Sequence, residues 1–379
     1  MKKKKINFLL FLSGTLIGGL VFFILVYPLF FFIKLNNEHL SSKNIAINQY
    51  KNKNLTASFF NNNKMDYFIK KYSLIKPDIL VIGTSTSQHL PHSYFKINIM
   101  NINSIDLDIF TYGYLLDELY KIHKPEVIVF GVDWWRFNKN IKININQSEF
   151  KKNLNYKNKN IFNFSLQNYI DLNQFIKKNK INIFNYKNNN NIGIASNFFN
   201  EGYDLRGNYY HTRLLKKELP SFDESFKITE KKLNKEIFFF QSFDLNLKMI
   251  RELKKIDKDL KKKNIKFILI FPPVSPYIYS KKMFRKHEEN IIKVIKNLDN
   301  QLKIYNYVNR DYFDNCNFLD GMHAGDNLLL KVFSEVFYKE GLIKFNKKYE
   351  DIFISNLKKT TLPNTYKVSE KRDILNQGC

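Results

Sequence analysis

The chain has 379 residues, of which 44% are hydrophobic and 25% charged, so it can bury a sizeable core and is not an intrinsically disordered polypeptide. That length suits one core enlarged by an insertion better than a string of domains. The formal charge of +26 invites an anionic partner such as phospholipid, acidic glycan or nucleic acid, but the lysines are scattered among asparagines with no nucleic-acid-binding module, which reads more simply as compositional drift and counts against nucleic acid.

Residues 1–7 are a short basic tail carrying Lys2 to Lys5, and no charged residue follows from Phe8 to Ile33. At about 1.5 Å per residue, residues 8–33 exceed a hydrocarbon core of roughly 30 Å and predict a single transmembrane anchor. The flanking lysines place the amino terminus in the cytoplasm and everything after Lys34 on the periplasmic, extracytoplasmic side of the inner membrane. A cleavable signal peptide fits less well, because the apolar stretch is long and no Ala-x-Ala-like site follows it. Gly14 and Gly18 could pack two such helices or simply be small residues tolerated in lipid, and Pro28 predicts a kink near the outer end. Residues 34–75 read as a polar tether with short helical pieces, holding the next domain some distance above the bilayer.

The main domain is expected over residues 76–345. Ile79 to Ile82 form an unbroken apolar run, as a parallel strand covered on both faces requires. Gly83 then permits a sharp exit, and Thr84, Ser85, Thr86 and Ser87 put hydroxyls at the carboxyl end of the strand, where open α/β sheets place their ligands. A second strand near Lys96 to Asn103, a helix marked by Leu107, Phe110, Tyr114, Leu115 and Leu119, and a third strand through Glu126 to Gly131 continue a βαβ pattern. Between about 139 and 243 the alternation gives way to Asn, Lys and Phe, which marks an insertion. Its orderly stretch, Glu201 to His211, could be a lid carrying Arg206 or His211, or a structural turn with surface tyrosines.

Regularity returns with a helix marked by Leu247, Ile250, Leu253, Ile256 and Leu260, a strand from Lys266 to Phe271 closed by Pro272 and Pro273, a helix through Ile291 to Leu298, and a short strand at Ile304 and Tyr305. Asp320 and His323 stand just ahead of a last helix patterned by Leu328, Leu329, Val332, Phe333, Val336 and Phe337. Residues 346–379 form a polar, lysine-rich tail. The fold class is therefore α/β, a three-layer doubly wound parallel sheet.

Ser85, Asp320 and His323 are the residue types of a nucleophile, the group that orients the base, and the base itself. His89 and His92 are the competing bases, ranked lower because they lie in the nucleophile's own segment, whereas His123 and His287 read as helix-surface residues. Asp311, Asp314, Asp320 and His323 could in principle hold a metal, but acidic turn residues before a helix account for the same letters. No metal and no cofactor is called for. Cys316 and Cys379 give neither a disulfide framework nor a Cys-x-x-Cys pattern.

The order Gly-Thr-Ser after the first strand and a late Asp-x-x-His before the last helix resembles the SGNH (GDSL-type) hydrolase superfamily, over roughly residues 76–345. Within it, the chain is most similar to the membrane-anchored branch found beside envelope polysaccharide O-acetylation systems. The resemblance implies Ser85 as nucleophile, His323 as base and Asp320 as its orienting partner. The function implied is that of an O-acetyl esterase or O-acetyltransferase on an extracytoplasmic polysaccharide, alongside a membrane-bound acyltransferase partner; the alternative is an inactive glycan-binding or scaffold subunit of an envelope complex. Asp133 stands where the family carries an oxyanion-donating Asn, so it must be turned away, held protonated, or capping the next segment, and the family's second-block glycine is not evident around Asn101 to Asp106. Gly83, Thr84, Trp134, Trp135, Arg136 and Arg206 complete the candidates for oxyanion or substrate contacts. Of the two tryptophans, one is expected in the core and the other against a sugar ring, while Arg136 could hold an anionic group.

Overall fold

The computed structural model of the chain describes residues 2–343 apart from 60–63, 88–89, 91, 93–94, 103–108, 140–147, 149, 151–165, 185–189, 211–221, 235–243, 299–301 and 312. In chain order these form helices α1 (Lys2–Leu35), α2 (Ser42–Asn52) and α3 (Lys64–Ile75), strands β1 (Ile79–Gly83) and β2 (Ile99–Ile102), helix α4 (Ile109–Tyr120) and strand β3 (Val127–Gly131). Then come α5 (Leu166–Lys178), α6 (Ile194–Phe199), the short pair β4 (Gly202–Tyr203) and β5 (Tyr209–Tyr210), and α7 (Phe222–Asn234). The alternation resumes with α8 (Leu247–Lys262), β6 (Lys266–Phe271), α9 (Pro276–Tyr279), α10 (Lys282–Leu298), β7 (Lys303–Asn306) and α11 (Asp326–Lys339).

Five strands form one parallel sheet in the order β2-β1-β3-β6-β7. Successive side chains of a strand point to opposite faces, and both faces here are dry. Leu80, Ile82, Ile128, Phe130, Phe267 and Leu269 pack under α3, α4, α8 and α10, while Ile79, Val81, Val127, Val129, Ile268 and Ile270 pack under α11. Two covered faces explain why the strands read as continuous apolar runs rather than as alternation. The layering is compatible with a three-layer α/β fold.

From β1 the chain goes to β2 on one side, whereas β3 pairs on the other side of β1, so the winding reverses between β1 and β3. Gly83 and Gly131, register partners at the carboxyl ends of those strands, mark the crevice where a sheet of this kind receives ligands. The helices follow from their sequences. α8, for example, buries Met249, Ile250, Leu253, Ile256 and Leu260 along one stripe and starts at Asn246, whose side-chain oxygen accepts from Lys248 N at 3.1 Å.

Residues 34–75 differ from the tether expected of them, because they are built into the body. Phe68 and Tyr72 of α3 are fully buried in the main core, and Ile45 and Ala46 of α2 join the same cluster. The region also pairs with the insertion: Thr56 bridges to Ile192 and Tyr203, and Gln49 Nε2 donates to Tyr203 O at 2.7 Å. Polar composition misled here because many of these polar groups are buried against partners more than 130 residues away.

α1 covers the whole uncharged stretch 8–33 and contains Pro28. Its side chains are described over residues 13–20 and 27–35. Among the described residues no helix is long and apolar enough to cross a membrane. The tail at 346–379 lies outside the described residues.

Candidate active site

β1 ends at Gly83, where φ is +155° and a Cβ would come within 2.4 Å of Gly131 O and 2.7 Å of Ser87 Oγ. Only glycine lets the two strand ends approach this closely. The chain then makes a single 3-10 turn over Ser85–Ser87 that leaves Ser85 exposed and buries Thr84, Thr86 and Ser87. Ser87 Oγ donates to Thr84 O at 3.1 Å, Asn101 Nδ2 donates to Ser87 O at 2.9 Å, and the Tyr112 hydroxyl donates to Gly83 O. These bonds brace the turn from within and from two neighbouring elements, β2 and α4, and leave one hydroxyl, that of Ser85, exposed.

The second half of the site is a tight loop before α11. Leu319 N donates to His323 O at 2.7 Å, Gly325 N donates to Asn317 O at 2.8 Å, and Phe318 bridges Ala324. The loop is backed by α9: Ser275 N donates to Gly321 O at 3.1 Å, and a Cβ on Gly321 would lie 2.2 Å from Ile278 Cγ1. Asp320 Oδ1 accepts from Met322 N at 3.0 Å and from His323 N at 2.8 Å, and His323 Nδ1 lies 2.9 Å from both Asp320 carboxylate oxygens. A carboxylate only accepts, so Nδ1 carries the proton and Nε2 is left as the acceptor. Nε2 lies 2.9 Å from Ser85 Oγ across 238 residues of chain.

Electrostatics follow this geometry. Packing around Asp320 alone would raise its pKa, but the charge and hydrogen bond of His323 and the two backbone amides outweigh that and pull it down to about 2. For His323 the largest single effect is desolvation, which lowers the pKa; Asp320, by charge and hydrogen bond, and Asp133, by charge, together overcome it, and the net shift is upward.

Asp133 lies at the mouth of β3, 2% exposed. Its carboxylate does not cap the following 3-10 turn at Trp134–Phe137, which has no side-chain cap bond, so the capping reading is corrected. Instead it turns back across the crevice: Thr86 Oγ1 donates to Oδ1 at 2.6 Å and Thr84 Oγ1 donates to Oδ2. Burial raises its pKa more than those bonds, Arg136 and His323 lower it. Both oxygens are occupied as acceptors, so Asp133 supplies no oxyanion donor in this arrangement. Sequence reasoning missed the two threonines as its partners; the only signal was a hydroxyl on either side of Ser85.

Trp134 is the core tryptophan, packed edge-on against Phe284 and Trp135 at ring separations of 5.0 Å each. Trp135 and Arg136 are partly exposed beside Asp133. Arg206 is not part of this group. Its guanidinium donates to Asn98 Oδ1, just before β2, at the end of the sheet opposite Ser85, so its candidacy is withdrawn. The turn that carries it folds onto the β2 edge, where Asn101 N donates to Arg206 O at 2.7 Å. His211 and His89, and the side chain of His287, lie outside the described residues. His92 faces Asp204 at 3.6 Å rather than Ser85. His123, expected on a helix surface, is partly buried, with Nε2 3.1 Å from Pro77 O. Among the described residues, no three His, Cys, Asp or Glu side chains gather as metal ligands.

Neither a family model nor a curated protein matches this chain.

Proposed function

We propose that the chain is a membrane-anchored serine acyl-transfer enzyme of SGNH type, acting as an O-acetyl esterase or O-acetyltransferase on an extracytoplasmic envelope polysaccharide. The observation that carries this reading is the relay Ser85 Oγ, His323 Nε2, His323 Nδ1, Asp320, with 2.9 Å steps, set at the point where the sheet reverses its winding. Position, distances and tautomer all fit nucleophilic acyl transfer. The envelope setting is carried by the uncharged stretch at residues 8–33, with Lys2 to Lys5 ahead of it.

In the first half-reaction Ser85 Oγ attacks the acyl carbonyl carbon as its proton passes to His323 Nε2. The tetrahedral adduct collapses, the bond to the departing alcohol oxygen breaks, and that oxygen takes the proton from Nε2. In the second half, water or a sugar hydroxyl gives its proton to Nε2 and attacks the acyl-serine, and Ser85 recovers its proton as it leaves. Asp320 fixes the ring and balances the imidazolium formed in both halves. Esterase and transferase differ only in the acceptor, and a membrane-bound acyltransferase is the partner that would supply the acyl group in the second case.

The occupied oxygens of Asp133 favour a second reading, an inactive glycan-binding or scaffold subunit, since losing one oxyanion donor typically lowers the rate by about 10²–10³. Acetate release by the detergent-purified full-length protein from an O-acetylated polysaccharide and from 4-nitrophenyl acetate separates the two. The enzyme reading predicts turnover that Ser85→Ala lowers by on the order of 10³-fold or more. Equal rates for the two proteins contradict it.

A further inference from the structure

The end of α1 is welded to the body. Phe32 and Ile33 are fully buried in a cluster with Leu172 and Ile176 of α5, Ile181 and Ile194. The turn after α1 is locked as well: Glu38 accepts from Ile194 N at 2.8 Å through Oε1, and from Ser58 Oγ at 2.6 Å and Phe59 N at 2.7 Å through Oε2. Gly193 N donates to Asn36 O at 2.8 Å, and Asn197 Nδ2 donates to Asn36 Oδ1 at 2.9 Å. The joint between α1 and the body is thus held by apolar packing and by hydrogen bonds together.

A hydrocarbon core of roughly 30 Å takes about 20 helical residues, so a span that begins at Phe8 ends at Tyr27, and Leu29, Phe32 and Ile33 just beyond it already pack into the body. No slack remains to lift the body away. Around that exit the molecule exposes Ile170 (41%), Phe184 (80%), Tyr27 and Phe31, and Phe30 packs on Tyr169 at a ring separation of 6.0 Å. Lys177, Lys178 and Lys180, at the end of α5 and just ahead of residues 181–184, are exposed as well. Exposed aromatics next to lysines at the end of a span are the composition of a membrane–water interface.

We infer that the collar made by α5 and residues 181–184 rests on the lipid surface where α1 leaves the bilayer, with Phe184 and Ile170 at the headgroup–acyl boundary and the three lysines against anionic headgroups. The inference rests on α1 spanning the membrane, as proposed above. Anchor and catalytic body then form one rigid unit, and the Ser85 site stands at a fixed height and tilt over the membrane.

The test uses the full-length protein in nanodiscs of phosphatidylcholine and phosphatidylglycerol, with or without bromines on the acyl chains, and two single variants, Phe184→Trp and Leu20→Trp, each read against wild-type emission from Trp134 and Trp135. For a ring held about 5–10 Å into the headgroup and acyl boundary, brominated lipid removes about half or more of the emission added at 184, and it also quenches that at 20. Quenching at 20 but not at 184 overturns the collar and leaves the span standing. Quenching at neither overturns the membrane reading and the collar with it.

Discussion

Thr86 Oγ1 donates a 2.6 Å hydrogen bond to Asp133 Oδ1, and Thr84 Oγ1 donates to the other oxygen of the same carboxylate, so one buried side chain brackets Ser85 from both flanks. Removing it leaves two buried hydroxyls to find other partners, at about 1–3 kcal/mol for each that fails. Asp133→Ala is therefore expected to lower the thermal midpoint and to reduce kcat more than it changes KM, because the turn holding Ser85 loses its brace. Asp133→Asn keeps one acceptor and is expected to fall between. Wild-type kinetics in both variants would contradict the bracket.

The same strand ends predict a steric result. An alanine at 83 would place its Cβ 2.4 Å from Gly131 O, which is backbone and cannot move alone. Gly83→Ala is expected to destabilise the fold by several kcal/mol or to block its accumulation. Gly113→Ala, whose Cβ would meet nothing closer than 3.5 Å, is the tolerated control.

The pH profile follows from His323 and Asp320. On the proposed mechanism His323 accepts a proton only when neutral, and its pKa stands above the ordinary 6.5, so kcat/KM should rise with pH along an acid limb centred above 6.5. Asp320, held at about 2, stays ionised throughout that range. Asp320→Asn removes the negative partner, and the acid limb should move down in pH while kcat falls by on the order of 10³–10⁴-fold from loss of the correct tautomer. An unmoved limb would mean that another group is titrating.

Lys71 offers a second titration, away from the site. It is fully buried, donates to Tyr67 Oη at 3.0 Å and to Asp204 O at 2.8 Å, and burial pulls its pKa down to about 7, against the charge of Asp204 and with that of Arg206. The unfolded chain keeps this proton up to about 10.5, so between 7 and 10.5 the unfolded state binds more protons and stability rises with pH. The difference in unfolding free energy between wild type and Lys71→Met should change by a few kcal/mol across that window, in favour of wild type at the alkaline end. Thermal midpoints in detergent at pH 6.5 and 10 check it; parallel shifts in the two proteins would contradict the assignment.

How much of this was legible in the sequence depended on whether a feature is local. Val127–Gly131 and Lys266–Phe271 could be placed because a strand buried on both faces leaves an unbroken apolar run. Ser85 and His323 could be paired because the chemistry demands both residue types at the ends of known elements. The partners of Asp133 and the burial of Lys71 were not readable, because a carboxylate 49 residues from its threonine and a lysine in an amphipathic helix look like surface groups until the fold closes over them. Residues 34–75 failed as a tether for the same reason: Glu38 and Asn36 read as solvated, yet each has a partner within residues 193–197. Arg206 is a candidate in sequence only because the orderly stretch around it could form a lid, whereas the turn it sits in is committed to the β2 edge.

The most direct measurement is covalent. A fluorophosphonate probe added to folded, detergent-solubilised full-length protein, followed by peptide mass spectrometry, should modify one residue, Ser85, and both Ser85→Ala and His323→Ala should abolish the modification. Folded wild-type protein that takes up no probe, or takes it up equally after Ser85→Ala, would contradict the assignment of Ser85 as a His323-activated nucleophile.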